Sequence, residues 1–488
     1  MKIPNLPSRF ENFKLNRGFS YTTTELERLK AFVFQMPEAT THIKRMIRTM
    51  KASNSGAFMI LKGESGIGKT TFLNTLPLYI EKLEVRSIYN RNKNLLSEEF
   101  EIIKGTNYPR IIILENRETF ETLSSNQLEK EIHTINSFIR SEAGENTIVV
   151  WPCNGEEMTK EIIQFAGHIG GSSLFREDTI LEYIGLPKNR FIPILKSTYE
   201  FFNSYDISDV GFSDEQLEEI LNSMKTDSTI GNFLEKVRSE LLKDYNIIED
   251  SKDYMGDFFS LIICVIAGNN PSNEIDYLTK GDYSLVDMDR LFSATTGNIK
   301  SVIGKNKRIC AMVAKEINCK IISINSQDVL DILRIETNNK SSNILEFDKY
   351  IEDECKLKLG KSLEQIEILK SMDLISGING QAYKRKKRKL IPTDSQSEFN
   401  TILKLAQTND RQINNKICEV LKDNNLISVG RVEDSFGNVY QVRSDMLCSI
   451  PGKYIRVEFM WRDLASAASI SLYSLNKLYG YCQAMGVL

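Results

Sequence analysis

The sequence is poor in the residues that build metal centres and disulfide scaffolds. Only 3 of its 488 residues are His and 8 are Cys, and no two Cys form a C-x-x-C pair. This scarcity argues against a His-based metal centre and against a zinc site. We expect the Cys residues to be reduced and mostly buried thiols of a cytoplasmic protein.

The chain also has no long apolar run and no strong charge bias. Its longest apolar run, FFSLIICVIAG at 258–268, is far shorter than the roughly 20 residues that span a bilayer, and we predict that it forms a buried helix. The first ten residues contain no apolar signal core, so we expect no membrane association. The net charge of −3 gives no global preference for nucleic acid, so a basic surface would have to be local.

What the sequence does have is a globular composition and alternating element patterns. Its length suggests several domains. Between residues 51 and 190, short apolar segments alternate with helical ones, which is typical of a parallel sheet covered on both faces. We predict an α/β fold with five regions: an N-terminal helical segment at 1–50, the sheet core at 51–190, a helical lid at 191–335, a module with a basic hairpin at 344–405 and a mixed α/β module at 406–488.

The strongest motif is GESGIGKTT at 63–71, which fits G-x-x-x-x-G-K-[ST] at every fixed position. It follows an apolar segment and opens a helix. Gly residues let the backbone curl so that successive N–H groups face phosphates. Lys69 is expected to reach the β- and γ-phosphates of ATP, and the Thr70 hydroxyl to bind Mg²⁺. The predicted nucleotide-binding residues are Gly63, Glu64, Ser65, Gly66, Ile67, Gly68, Lys69, Thr70 and Thr71.

This motif resembles the Walker A motif of P-loop NTPases, and the order of the segments after it resembles AAA+ and STAND ATPases over about residues 50–300. The resemblance implies a P-loop sheet with a helical lid. It also implies that Asn154, at the end of IVVWPCN, is the sensor-1 residue that orients the attacking water. Arg176 would be the arginine finger. A sensor-2 residue in the lid could be Lys300 or Arg308.

The segment RIIILENRE at 110–118 is the candidate Walker B strand, but its order of residues is unusual. In one register, Glu115 takes the magnesium role, Asn116 replaces the catalytic Glu, and Glu118 could act as base. In the other, Glu115 is the base and Leu114 stands in place of the metal-binding acid. Asn116 can orient a water molecule but cannot take its proton as a carboxylate would. We therefore predict slow or partner-activated hydrolysis.

A second candidate site is the run of six basic residues in AYKRKKRKLIP. It follows two helices and resembles the basic wing of a winged-helix domain. Basic side chains bind DNA phosphates without reading sequence. A solvated loop or a contact with an acidic partner remains an alternative. The candidate nucleic-acid residues are Lys384, Arg385, Lys386, Lys387, Arg388 and Lys389.

The last region contains two acids near the ends of adjacent predicted strands, Asp445 and Glu458. This arrangement resembles PD-(D/E)xK nucleases, in which two acids hold Mg²⁺ and a Lys lies two residues after the second acid. Here that position is Met460, and Arg462 cannot be deprotonated to act as a base. An active nuclease, a degenerate binding version and an unrelated α/β module all remain open.

The leading hypothesis is a Mg²⁺-dependent, oligomeric ATP-hydrolysing switch that acts with DNA or a separate effector protein. In general character the chain resembles ATPases of bacterial mobile elements and anti-phage (antiviral) defence systems. One alternative is a nuclease in which the ATPase gates cleavage by the C-terminal module. Another is a scaffold that binds ATP without hydrolysing it.

Overall fold

The computed structural model describes most of the chain in two compact units. The described residues are 3–8, 35–89, 95–117, 124–171, 174, 178–255, 259–269, 271–339, 341–360, 369–370, 372–381, 393–431, 443–451 and 453–488. One unit comprises Asn5–Asp206 and Asp214–Glu240, and the other comprises Met1–Pro4, Ile207–Ser213 and Leu241–Leu488. Within the described residues, no helix has the length and apolar character needed to cross a membrane.

The first unit is built on a five-stranded, all-parallel sheet with the strand order β2-β3-β4-β1-β5. Its elements in chain order are α1 (Pro37–Ser53), β1 (Ala57–Lys62), α2 (Lys69–Thr75), β2 (Glu84–Tyr89), α3 (Leu96–Glu101), β3 (Arg110–Glu115), α4 (Ser125–Ile139), β4 (Thr147–Cys153), α5 (Glu156–Gly170), β5 (Ile180–Glu182), α6 (Phe191–Asn203), α7 (Asp214–Asn222) and the start of the long helix α8 (Ile230–Met255).

Both faces of this sheet are buried, which confirms the prediction made from the apolar segments. Alternate residues of a strand point to opposite faces. In β3, Ile112 and Leu114 join a core with residues of α4 and α5. Ile111 and Ile113 join a second core with residues of α1 and α2. Apolar residues at every position of such a strand are therefore required by the fold, and they bring the polar strand ends to one edge.

The second unit contains a seven-stranded mixed sheet with the order β10-β11-β12-β6-β9-β8-β7. Its elements after α8 are β6 (Phe259–Ala267), α9 (Ser272–Leu278), β7 (Thr279–Lys280), β8 (Leu285–Val286), α10 (Met288–Ala294), α11 (Ile299–Gly304), α12 (Lys307–Glu316), β9 (Lys320–Asn325), α13 (Ser326–Leu333), α14 (Ser342–Asp353), α15 (Asp373–Ile378), α16 (Thr393–Asp423), β10 (Val429–Arg431), β11 (Met446–Ile450), β12 (Lys453–Arg462) and α17 (Ala467–Ala484). Helix α16 is kinked at Asn409.

The prediction that 258–268 forms a buried helix is wrong, because Phe259–Ala267 is strand β6. This strand pairs in parallel with β12 on one side and β9 on the other, and all nine of its residues are buried. A central strand buried on both faces has an uninterrupted apolar sequence, and periodicity cannot distinguish it from a buried helix. Segments 191–335 and 406–488 thus both contribute strands to this one sheet.

Candidate functional site

A glycine-rich loop, Gly63–Gly68, connects β1 to α2 at the carboxyl edge of the parallel sheet. Gly66 and Gly68 have φ of 77° and 103°, which is the left-handed region that side chains rarely adopt. A Cβ at Gly63 would come within 2.6 Å of the Tyr183 carbonyl oxygen. The three glycines are thus required by backbone geometry, and the loop forms where the motif predicts it.

Lys69 is the first residue of α2, and its side chain lies inside the loop. The residue is only 7% exposed. Its Nζ donates hydrogen bonds to the carbonyl oxygens of Gly63 (2.5 Å) and Glu64 (2.8 Å) and to Oδ1 of Asn154 (2.7 Å). Asn154 follows β4, which lies beside β1 in the sheet. The structure therefore brings together two residues that the sequence assigned to one site.

Glu115 ends β3 at the same edge and is buried at 6% exposure. Its Oε1 accepts a hydrogen bond from the Ser87 hydroxyl of β2 at 3.2 Å. Carboxylate and hydroxyl oxygens are the donors that Mg²⁺ prefers, so Glu115 and Thr70 are suitable ligands in type. Among the described residues, no group of three or more His, Cys, Asp or Glu side chains could hold a metal. An ion here would depend on nucleotide oxygens and water as well.

The residues after Glu115 form a turn that the sequence did not reveal. Asn116 is exposed and has φ of 61°, a left-handed conformation that Asn tolerates better than most residues. Arg117 is buried, at 1% exposure, and forms an ion pair with Glu131 of α4. From the sequence alone, an Arg that follows an apolar strand would be predicted to be exposed at the surface. Its buried position is explained by tertiary contacts, among them the ion pair with the partly buried Glu131 on the neighbouring helix.

A cavity of about 560 Å³ opens beside the glycine-rich loop within the first unit. Its walls include segments 182–188 and 226–230, with apolar side chains from both. The cavity is large enough for the base and sugar of a nucleotide. Its apolar lining consists of Ile67, Ile184, Leu186, Pro187, Phe191 and Ile230.

Lys62, the last residue of β1, carries a charge cluster at the edge of this cavity. Its Nζ lies 2.7 Å from a carboxylate oxygen of Glu156 and 3.0 Å from one of Glu182. The hydrogen bond to Glu156, followed by that to Glu182, raises the pKa of Lys62. The same bond lowers the pKa of Glu156. The two carboxylates offset the positive charge of Lys62, so it is less suited than Lys69 to bind phosphate.

The remaining predicted site residues divide into two groups. Glu118, Arg176 and the basic run Lys384–Lys389 lie outside the described residues. Lys300 and Arg308 lie in the second unit: Lys300 Nζ is 5.4 Å from the centre of the Phe292 ring, and Arg308 Nε is 2.7 Å from Asp244 Oδ2.

The two C-terminal acids lie in a buried polar cluster of the second unit. Asp445 precedes β11, and its Oδ2 accepts a hydrogen bond from the Phe459 N–H at 2.7 Å. Glu458 is completely buried; its carboxylate accepts hydrogen bonds from Lys477 Nζ (2.5 Å) and from the Tyr481 hydroxyl. Helix α17 thus supplies a Lys to Glu458, although position 460 is a buried Met.

Burial and neighbouring charges within this cluster shift the pKa values of Asp445 and Lys477. Burial raises the pKa of Asp445 to about 7, and the neighbouring Glu458 adds to the effect. Burial acts to lower the pKa of Lys477, but the charges of Glu458 and Asp445 outweigh it, so that the pKa is raised. Lys477 is therefore held as a cation and is poorly suited to act as a base in this arrangement.

Comparison of the sequence with protein-family models and with curated proteins gives no match.

Proposed function

We propose that the chain is a Mg²⁺-dependent P-loop ATPase of the AAA+/STAND type whose site is formed at the carboxyl edge of the parallel sheet. The observation that carries the proposal is the position of Lys69. It starts the helix after the glycine-rich loop and is hydrogen-bonded to Asn154 from the adjacent strand. The strand order supports the proposal further. Because β4 lies between β1 and β3, the glycine-rich loop, Asn154 and Glu115 share the carboxyl edge of the sheet.

Binding of ATP would change the partners of Lys69. In the structure its ammonium group is satisfied by two loop carbonyls and Asn154. Phosphate oxygens would replace the carbonyls, since a charge-assisted bond to an anion is the stronger one. The backbone N–H groups of the loop would bind the same phosphates. Thr70 and Glu115 would hold Mg²⁺, which neutralises developing phosphate charge when bound.

Hydrolysis would be slow without a further group. Asn154 would orient the attacking water, and the exposed Asn116 would add a second hydrogen bond. Neither amide can accept the proton of that water. If Glu115 serves the metal, Asn116 stands where a catalytic Glu is expected and Glu118 is the remaining candidate base; if Glu115 is the base, Leu114 stands in place of the usual metal-binding acid. Both cases favour a slow ATPase that a partner activates.

Hydrolysis is tested by a steady-state ATPase assay with and without Mg²⁺ on the wild type, Glu115→Gln and Ser87→Ala. We expect low Mg²⁺-dependent turnover and its near-complete loss, by about 100-fold or more, in Glu115→Gln. Ser87→Ala should lower turnover less, because it removes only one hydrogen bond to Glu115. An unchanged rate in Glu115→Gln would contradict the assignment of this residue.

The resemblance to AAA+ and STAND ATPases extends the proposed function from ATP hydrolysis to a molecular switch. ATP binding and hydrolysis would switch an oligomer that acts with DNA or an effector protein in defence or mobile-element biology. The direct test is to measure molecular mass with ADP, with a non-hydrolysable ATP analogue and with DNA. A monomer in all three conditions would contradict the switch.

A second candidate function is nucleic-acid cleavage by the C-terminal cluster. The observation that favours it is Lys477, which reaches Glu458 from α17 although position 460 is Met. Burial of Glu458 weighs against it, because both carboxylate oxygens are already bound by protein groups. A plasmid-cleavage assay with Mg²⁺ or Mn²⁺, with and without ATP, tests whether this cluster cleaves DNA. Asp445→Ala is the control. No cleavage by the wild type under any condition would exclude it.

A further inference from the structure

The turn after β3 is held by one buried side chain with contacts to several elements. Nε of Arg117 donates to Glu131 Oε2 on α4 at 2.9 Å. Its Nη1 lies 3.4 Å from the Ile88 carbonyl oxygen on β2 and 3.3 Å from the Glu115 carbonyl oxygen. The Arg117 carbonyl oxygen in turn accepts a bond of 2.8 Å from Trp151 Nε1 on β4. Arg117 therefore connects strands β2, β3 and β4 with helix α4 at the end of β3, where Glu115 lies.

A buried guanidinium is costly unless it is paired and hydrogen-bonded, and this one is both. Burial raises the pKa of Glu131, while the charge of Arg117 acts in the opposite direction. Replacing such a pair by apolar residues is often neutral or stabilising. The burial of this ion pair is therefore weak evidence that it stabilises the fold. The contact of Arg117 with the Glu115 carbonyl indicates instead that Arg117 controls the geometry of Glu115.

We infer that Arg117 is a positioning residue of the proposed ATPase site, a role that rests on the proposed function. It fixes the carbonyl of Glu115 from one side and, through its own carbonyl, fixes the chain against Trp151. Asn116 lies between these two anchors and is held in its left-handed conformation. Arg117 therefore determines where the Glu115 carboxylate and the Asn116 amide lie relative to bound Mg²⁺ and water.

The same strand offers a matched control at its other end. Arg110 begins β3 and is also buried, at 5% exposure. Its guanidinium is bound by the carbonyl oxygens of Lys104 and Ala143 and by the Thr147 hydroxyl. Arg110 and Arg117 are thus both buried and hydrogen-bonded, but only Arg117 is at the edge that carries Glu115. A general effect of losing a buried Arg should appear in both variants.

The experiment compares wild type, Arg117→Ala, Arg117→Lys, Glu131→Gln and Arg110→Ala in full-length protein. For each we would measure kcat and KM for Mg²⁺-ATP and the thermal unfolding midpoint. We expect Arg117→Ala to lower kcat about tenfold or more, because small displacements of catalytic groups have effects of this size. KM for ATP should change less than about threefold, since the contacts of Lys69 remain.

The other variants separate positioning from folding. Arg117→Lys should recover part of the lost kcat, Glu131→Gln should lower kcat in the same direction, and Arg110→Ala should keep kcat near wild type even if it unfolds earlier. If Arg117→Ala does not fold, Arg117→Lys and Glu131→Gln give the same comparison. Equal losses in the Arg110 and Arg117 variants, or no loss in the latter, would overturn the inference. Absence of hydrolysis in the wild type would instead overturn the proposed function itself.

Discussion

The carboxyl group of Asp445 shows most directly how the fold changes the chemistry of a single residue. It accepts the Phe459 N–H and lies close enough to Glu458, Lys477 and Asp410 for their charges to act on it. Burial, and then Glu458, raises its pKa to about 7 from an ordinary value of 3.8. Lys477 and the bond from Phe459 act in the opposite direction.

This shift predicts that Asp445 makes stability depend on pH. Between about pH 4 and pH 7 the folded protein keeps a proton that the unfolded chain releases, so the free energy of unfolding falls as pH rises through this window. We expect Asp445→Asn to remove on the order of 1–2 kcal/mol of this fall, after allowance for partial solvent screening. Urea unfolding at pH 5 and pH 8 measures it. Asp353→Asn, at an exposed position, is the control for the loss of one carboxyl group. An identical slope in Asp445→Asn and wild type would be inconsistent with the shift.

The position of a site residue could be predicted from the sequence where a motif determines it. It could not be predicted where contacts between distant parts of the chain determine it. The spacing in GESGIGKTT predicts Lys69 in a loop before a helix, and the structure places it there. Arg117 depends on Glu131, which is 14 residues away, and on Trp151, which is 34 residues away. Ser87 became part of the site only because β2 pairs with β3. No local pattern contains these contacts.

At the scale of elements, the short strands of the first unit were predictable because apolar segments of strand length alternate with helical ones in the sequence. The strands of the second unit show the limit of the same reasoning. The segments of β11 and β12 were predicted as adjacent strands, but nothing local indicates that β12 pairs with β6. An apolar run such as that of β6 is compatible with either a strand or a helix. Pairing with β12, which lies almost 200 residues later in the chain, makes the β6 segment a strand rather than a helix.

At the scale of the whole molecule, the eight Cys residues are all buried. This confirms the prediction of mostly buried thiols. Burial also raises the pKa of the Cys319, Cys355, Cys418 and Cys448 thiols to about 12. Since the thiolate is the reactive form, these groups are protected both by access and by protonation.

We therefore expect the folded protein to react slowly with a thiol reagent at pH 8, and all eight thiols to react rapidly after denaturation. Reaction would be followed by absorbance or by mass spectrometry of the labelled protein. Because labelling requires opening of the core, its rate should rise with denaturant. Rapid labelling of one or more Cys in the native protein would show that the packing described around that residue is wrong.

The measurement that tests the central claim most directly is calorimetric binding of Mg²⁺-ATP to the wild type, Lys69→Ala and Lys51→Ala. Lys51 is an exposed residue of α1 in the same unit and controls for the loss of one positive charge. We predict saturable binding by the wild type and Lys51→Ala, and affinity weaker by at least about tenfold in Lys69→Ala, equivalent to about 1.4 kcal/mol. Equal affinity in Lys69→Ala and wild type, or no binding by the wild type, would contradict a nucleotide site in the glycine-rich loop.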